Sequence, residues 1–426
     1  MRSDWKSYKL SEIGKIIGGG TPSTKKSSYW GEDHPWITPK DLSSYNNRYI
    51  SCGARSITAD GLSNSSARLL PPNTVLITSR APIGYLAIAE TEVTTNQGFK
   101  SIIPNDELCV SEFIYYLIKS NVNKLLQYSS GSTFKEISGK VLGSLEFSFP
   151  PLAEQKRIAA LLGSLDDMIE LNRKMNQTLE EMAQAIFKSW FIDFDGVPEE
   201  DLVESELGLI PRGWEVCELN DELDITKGLS YRSKYFDPLG KPMINLKCIA
   251  RGGGFQHRGL KFYSGDFKER HIVVPGDIVL AMTDLTQDRV VVASPAFVPA
   301  LNANEIIISC DLCCTRPKDS SYLSRIWLYY RFLTRQYKEF ALGYASGTTV
   351  LHLKLDGVKK FRFPKPPKGL IEEFSTIAGS LKSLIDINLQ QSQTLSELRD
   401  TLLPKLISGE LRIPEAEDIV NQALDT

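Results

Sequence analysis

The chain has 426 residues, 42% hydrophobic and 9% aromatic, a composition that supports several packed cores and excludes a disordered or fibrous protein. No apolar run is long enough to span a bilayer and the start Met1-Arg2-Ser3-Asp4-Trp5 lacks an apolar signal region, so a cytoplasmic protein with no membrane role is expected. A formal net charge of −3 argues at first against nucleic acid, but residues 1–150 carry +3, 151–204 carry −7, 205–368 carry +7 and 369–426 carry −6.

Basic globules therefore alternate with acidic stretches, and a polyanion is drawn to the former. The plainer reading is that acidic side chains solvate long exposed helices.

In chain order, the first globule opens on Trp5, Leu10 and Ile13, then Gly18-Gly19-Gly20-Thr21-Pro22, a run that neither a helix nor a central strand tolerates. Trp36-Ile37-Thr38, Thr74 to Thr78 and Leu86 to Ala89 read as short strands bounded by Pro, Gly or Asn, and Glu112 to Lys124 reads as a helix. Phe147-Ser148-Phe149-Pro150-Pro151 marks the start of a long helix, Leu152 to Trp190, roughly 58 Å if unbroken.

That helix occurs twice. Gly163-Ser164-Leu165, Asn172, Gln177-Thr178-Leu179 and Glu181 return without a gap as Gly379-Ser380-Leu381, Asn388, Gln393-Thr394-Leu395 and Glu397. Leu165, Ile169, Asn172, Asn176, Leu179, Ala183, Ile186 and Trp190 step by three and four, as do Leu381, Ile385, Asn388, Ser392, Leu395, Arg399, Leu402 and Leu406. Each stripe needs a partner, and the expected one is the other stripe, in a coiled-coil-like antiparallel pair with Asn172 and Asn388 fixing its register.

The second globule repeats the first more loosely. Pro275-Gly276-Asp277-Ile278-Val279-Leu280 mirrors Pro72-Asn73-Thr74-Val75-Leu76-Ile77, Tyr329-Tyr330 mirrors Tyr115-Tyr116, and Gly347-Thr348-Thr349 mirrors Gly131-Ser132-Thr133. Leu301-Asn302-Ala303-Asn304 is aligned with Asn96-Gln97-Gly98-Phe99. Pro404 is expected to bend or end the second helix, with a loose acidic tail after it.

No catalytic constellation is legible. A phosphate loop would need a second glycine after Gly20-Thr21-Pro22-Ser23-Thr24-Lys25, no methyltransferase motif appears, and the four histidines have no nucleophile beside them. Seven cysteines without pairing rhythm fit reduced thiols, and Cys310, Cys313 and Cys314 lack the second ligand pair of a zinc site, so no metal is expected. The chain reads as a binding protein with no active site of its own.

Several motifs carry a family resemblance. They are Gly19-Gly20-Thr21-Pro22-Ser23, Tyr29-Trp30-Gly31, Trp36-Ile37-Thr38, Thr78-Ser79-Arg80, Asn96-Gln97-Gly98-Phe99, Pro150-Pro151-Leu152 with Glu154-Gln155, Phe187 to Phe194, and Leu402 to Leu411. Together with the half-repeat, they make the chain resemble the specificity subunit of Type I restriction-modification enzymes.

The resemblance implies an α+β protein in which two mixed α/β target recognition domains are separated by two long helices with a pseudo-twofold repeat. The expected boundaries are 1–150 and 201–368 for these domains, 151–200 and 369–412 for the spacer helices, and 413–426 for an acidic tail. Each domain would read half of a bipartite double-stranded DNA target. The helices would set the unread gap and dock two modification subunits through Leu165, Ile169, Asn172, Leu179, Ile186, Leu381, Ile385, Asn388, Leu395 and Leu402. S-adenosylmethionine would come with those partners, and ATP and Mg²⁺ with restriction subunits.

Candidate DNA contacts are Lys25, Lys26, Thr78, Ser79, Arg80, Asn96 and Gln97 in the first half, and Arg251, Arg258, Thr283, Gln287 and Arg289 in the second. Arg, Asn and Gln match base edges and Lys meets phosphate, while each also has the plainer reading of a solvated surface residue. The alternative function is a structural adaptor that joins partner subunits through its helices and does not bind DNA.

Overall fold

The computed structural model describes residues 4–43, 45–130, 135–286 and 288–424. The chain divides into two compact units, Met1–Lys174 with Ile387–Thr426, and Met175–Asp386.

In the first unit, a five-stranded sheet has the order Gly14–Gly18, Lys100–Pro104, Val75–Ser79, Ile83–Ala89, Tyr49–Ile50. Its central strand, Val75–Ser79, is buried at every position, as an uninterrupted run rich in β-branched residues requires of a strand covered on both faces. A smaller sheet runs Trp30–Gly31, Arg55–Ile57, His34–Ile37, Thr94–Thr95. Lys6–Lys9 pairs antiparallel with Glu146–Phe149 and ties the start of the unit to the segment that enters the long helix.

The second unit repeats the order of the larger sheet over four strands, while its smaller sheet is ordered differently. Leu223–Lys227, Leu312–Pro317, Ile278–Ala281 and Pro295–Phe297 form one sheet. Lys261–Tyr263, Phe236–Ile244, Ile306–Ile308 and Ile272–Val273 form the other, and Glu215–Glu218 pairs with Arg362–Lys365. The anchor Gly131-Ser132-Thr133 lies outside the described residues.

Several expectations need correction. The helix read from Glu112 to Lys124 is two, Ser111–Ser120 and Val122–Gln127, separated at Asn121, whose side-chain amide donates to the Leu117 carbonyl at 2.8 Å. Pro404 does not end the second long helix, which spans Lys368–Ser408. Leu402, Leu403, Leu406 and Ile407 are all buried around the proline and hold the last turn down, and Gly409, at φ 74°, closes it. The acidic tail is not loose: Ile413–Leu424 is a helix that buries Ile413, Ala416 and Val420 in the first unit's core.

The first long helix spans Leu152–Lys188, continues through a wide turn at Ser189–Asp193 and stops at Phe194 in the left-handed region. The long helices are not paired only with each other. In the first unit Leu165, Leu395, Leu402 and Leu406 join Phe113, Tyr116 and Phe149 in one core. In the second, Ala183, Phe187 and Phe374 join Trp327 and Tyr330. The division between units therefore runs through both helices, because each end of a stripe is absorbed by an α/β core.

Candidate nucleic-acid interface

In the first unit the glycine run, Asn96-Gln97 and the small sheet come together. A side chain at Gly19 would lie 2.1 Å from the Asn96 carbonyl, so only glycine allows this approach. Trp36 Nε1 donates to the Gly20 carbonyl at 3.0 Å, Trp30 Nε1 to the Ser23 carbonyl at 3.3 Å, and the Thr21 hydroxyl to Gln97 Oε1. Asn96 Oδ1 accepts from the Gly98 N–H at 2.8 Å, which shapes the turn and leaves Gln97 exposed. Lys25 and Lys26 are exposed on the same loop, and Lys26 lies over the Tyr29 ring at 4.9 Å.

Thr78 and Ser79 are fully buried and leave the set of candidate contacts. Thr78 Oγ1 donates to the Pro82 carbonyl at 2.8 Å and accepts from the Tyr85 N–H at 2.9 Å; Ser79 Oγ donates to the Gly98 carbonyl at 3.1 Å. Consecutive residues point to opposite faces of the strand, and both faces are covered, so both hydroxyls are enclosed. Arg80 remains at the surface, 3.6 Å from Glu136.

The second unit needs a new alignment. Asn96 N–H donates to the Ile37 carbonyl at 3.0 Å, and the equivalent bond runs from Ser309 N–H to the Ile244 carbonyl at 2.9 Å. Ser309-Cys310-Asp311-Leu312, not Leu301 to Asn304, thus takes the place of Asn96 to Phe99. Likewise Ser79 N–H to Gly98 is matched by Met282 N–H to Asp311, which puts Thr283 where the first unit has Arg80. Thr283 is buried, with its hydroxyl 3.1 Å from Asp311 Oδ1.

The following loop is held from both sides. Buried Asp284 accepts from Thr286 N–H and Oγ1 and from the N–H groups of Val291 and Val292 at 2.6–3.0 Å. Burial alone would raise its carboxyl, but these donors hold it below the ordinary value. Lys338 donates to the carbonyls of Val290 and Val292. Arg289 is exposed on this loop with φ 54°, Arg258 is exposed, and Arg251 pairs with Asp288. Gln287 lies outside the described residues. Nothing in the local sequence marked Asp284 and Lys338 as the loop's clamps, because their partners are backbone groups.

The helix pair is polar at its centre. In the first unit Asn172, 6% exposed, donates Nδ2 to Gln391 Oε1 at 2.8 Å and Ser392 Oγ at 3.2 Å; Asn388 is buried too. In the second, Asn176 Nδ2 donates to the Ile385 carbonyl at 3.4 Å. Ile169, Leu179, Ile186, Leu381 and Ile385 are half-buried. Asp166 and Arg399 pair at 2.6 Å, and the Tyr116 hydroxyl donates to Asp166 at 2.6 Å. The counterpart Tyr330 donates to Glu180 at 3.3 Å. Leu171 and Ile387, equivalent positions of the repeat, remain 57% and 60% exposed.

All seven cysteines are free, and burial pushes the Cys109 and Cys314 thiols up to about 12. Among the described residues no cluster of three or more His, Cys, Asp or Glu could hold a metal ion, and no helix is long and apolar enough to cross a membrane.

Two α/β units with related larger sheets and different surface loops, each packed on part of both long helices, define an internally duplicated, two-unit protein. A family model described as the Type I restriction modification DNA specificity domain matches residues 2–181. The chain is 38% identical over 429 residues to the Type I restriction enzyme MjaIX specificity subunit of Methanocaldococcus jannaschii, covering 97% of this chain and 94% of that protein. It is 25% identical over 478 residues to the HindI specificity subunit of Haemophilus influenzae, covering 96% and 100%. The crystal structure of a Type I restriction-modification S subunit from M. genitalium shares the fold, with TM-score 0.55, 16% identity, and 94% and 96% of the two chains covered.

The chain belongs to the specificity subunits of Type I restriction-modification systems, the sequence-specific DNA-binding and non-catalytic components. That membership decides against the adaptor reading.

Proposed function

We propose that each α/β unit reads one half of a bipartite, asymmetric DNA target, and that the paired helices set the unread gap and dock two modification subunits. The observation that carries this is the repeated larger-sheet order with unlike residues at positions matched by backbone bonding: Arg80 against Thr283, Asn96 against Ser309, Glu136 against His352. One scaffold used twice with different edge chemistry suits two different half-sites. The remaining first-unit contacts are Lys25, Lys26, Arg80, Asn96 and Gln97; in the second unit they are Arg251, Arg258, Gln287 and Arg289.

The repeated exposed apolar position, Leu171 and Ile387, supports docking of two copies of one partner. Those partners bring S-adenosylmethionine and the methyl-transfer chemistry, and restriction subunits bring ATP-driven translocation and cleavage. The proposed domain limits remain 1–150 and 201–368, with spacers 151–200 and 369–412.

Methylation mapping of host DNA with and without this chain tests the reading. The expected result is one motif of two separated half-sites that vanishes with the chain. A contiguous motif, or none, overturns it.

A further inference from the structure

The small sheets of the two units share a feature that the sequences do not align. In the first unit Trp30 faces Ile57, and Trp36 faces Arg55 on one side and Thr94, in parallel, on the other. In the second, Phe236 faces Tyr263, and Met243 faces Lys261 and, in parallel, Ile307. Arg55 and Lys261 therefore occupy one register position, and Trp30 and Phe236 another.

At that position each cation lies on the equivalent aromatic ring. The Arg55 guanidinium is 3.5 Å from the Trp30 ring centre and the Lys261 ammonium 4.3 Å from that of Phe236. The preceding residue repeats the arrangement, with Lys26 over Tyr29 at 4.9 Å and Lys234 over Tyr235 at 4.8 Å. Among the described residues neither Arg55 nor Lys261 has a carboxylate partner, although acidic residues are abundant in the chain. A ring holds a cation in place without neutralising it, so its N–H groups remain available and little side-chain entropy is lost on binding.

We propose that Arg55 and Lys261 are matched phosphate-contacting residues that seat each unit on the DNA backbone. The residues that would read bases differ between the units, as two half-sites demand, whereas positive charge at this position is kept through a change from Arg to Lys. What both half-sites have in common is the phosphate backbone, which either cation can meet, while a bidentate base contact would not survive that exchange. The proposal rests on the DNA-reading role of both units and adds the residues that position them.

The test uses the full chain assembled with its modification subunit, and duplexes carrying the mapped target or a scrambled sequence. Arg55→Ala and Lys261→Ala should each weaken binding to both duplexes by a similar factor. Each should lower the slope of log affinity against log salt by about one, so the loss between 50 and 200 mM salt shrinks about fourfold per variant. Arg55→Lys should keep the wild-type slope, and the mapped methylation motif should not change.

Weakening confined to the target duplex, or an altered motif, would mean base reading and overturn the proposal. An unchanged slope in variants with wild-type melting temperature would mean a purely structural stack and also overturn it. A contiguous wild-type motif strikes instead at the two-half-site reading, and the slopes still decide this one.

Discussion

Arg331 illustrates how the two units diverged inside their cores. It is 2% exposed and follows Tyr329-Tyr330, where the first unit has Tyr115-Tyr116 followed by Leu117. Its guanidinium lies 5.2 Å from the Phe361 ring and 5.8 Å from Phe363, its Nε has no hydrogen-bond partner, and burial lowers it to about 9. A buried cation without a counter-ion is costly, so Arg331→Met should stabilise the second unit by about 1–3 kcal/mol, read as a higher denaturant midpoint. Lys338 makes a pH prediction. Burial lowers it from 10.5 to about 8, so between those values the unfolded chain holds a proton that the folded chain has released. Its contribution therefore makes stability rise with pH across that window. The difference between wild type and Lys338→Met, followed by urea unfolding from pH 7 to 10.5, should show that rise; a flat difference would remove the burial argument. None of this was legible in the sequence, where Arg331 and Lys338 are ordinary surface-type residues.

The two long helices were legible as helices because their stripes recur at steps of three and four, yet the same pattern did not say what the stripes bury against. The first unit's core takes Leu165, Leu395 and Leu402, and it also recruits the C-terminal helix that acidic composition disguised. Removing residues 413–426 exposes the surface that Ile413, Ala416 and Val420 cover, and should cost the first unit about 3–5 kcal/mol. Hydrogen exchange should accelerate in Ser111–Ser120 and not in Arg325–Leu333. The Asp166–Arg399 pair, with side chains 15% and 16% exposed, joins the helices within that unit. Arg399→Ala should cost about 2 kcal/mol, and adding Asp166→Ala should cost less than the sum, because the half-buried carboxylate is then no longer left with only the more distant Lys119, at 3.9 Å, in place of Arg399. Pro404 was a sound helix-ending signal locally, but four buried neighbours outweigh one missing backbone bond.

For the molecule as a whole, the duplicated helices make gap length the quantity to vary. Removing one heptad from each long helix at positions matched by the repeat shortens the pair by about 10 Å, or about three base pairs of duplex. Methylation mapping should then return the same two half-sites with a shorter gap. Unchanged spacing, or altered half-sites, would mean that the helices do not act as the ruler. Ionic strength should act on both half-sites together, since the basic charge resides in the α/β segments and the acidic charge on the helices.

By itself, the chain's sequence determined the internal repeat, the helix stripes, the alternation of charge and the family, because these are periodic or contiguous properties that need no knowledge of the third dimension. Only the tertiary structure decided which side chains face out. Thr78, Ser79 and Thr283 are enclosed because both faces of their strands are covered, while Arg55 and Lys261 are brought into register by strand pairing across unlike sequences. Inward or outward orientation is set by pairing between residues far apart in the chain, and no local pattern encodes it.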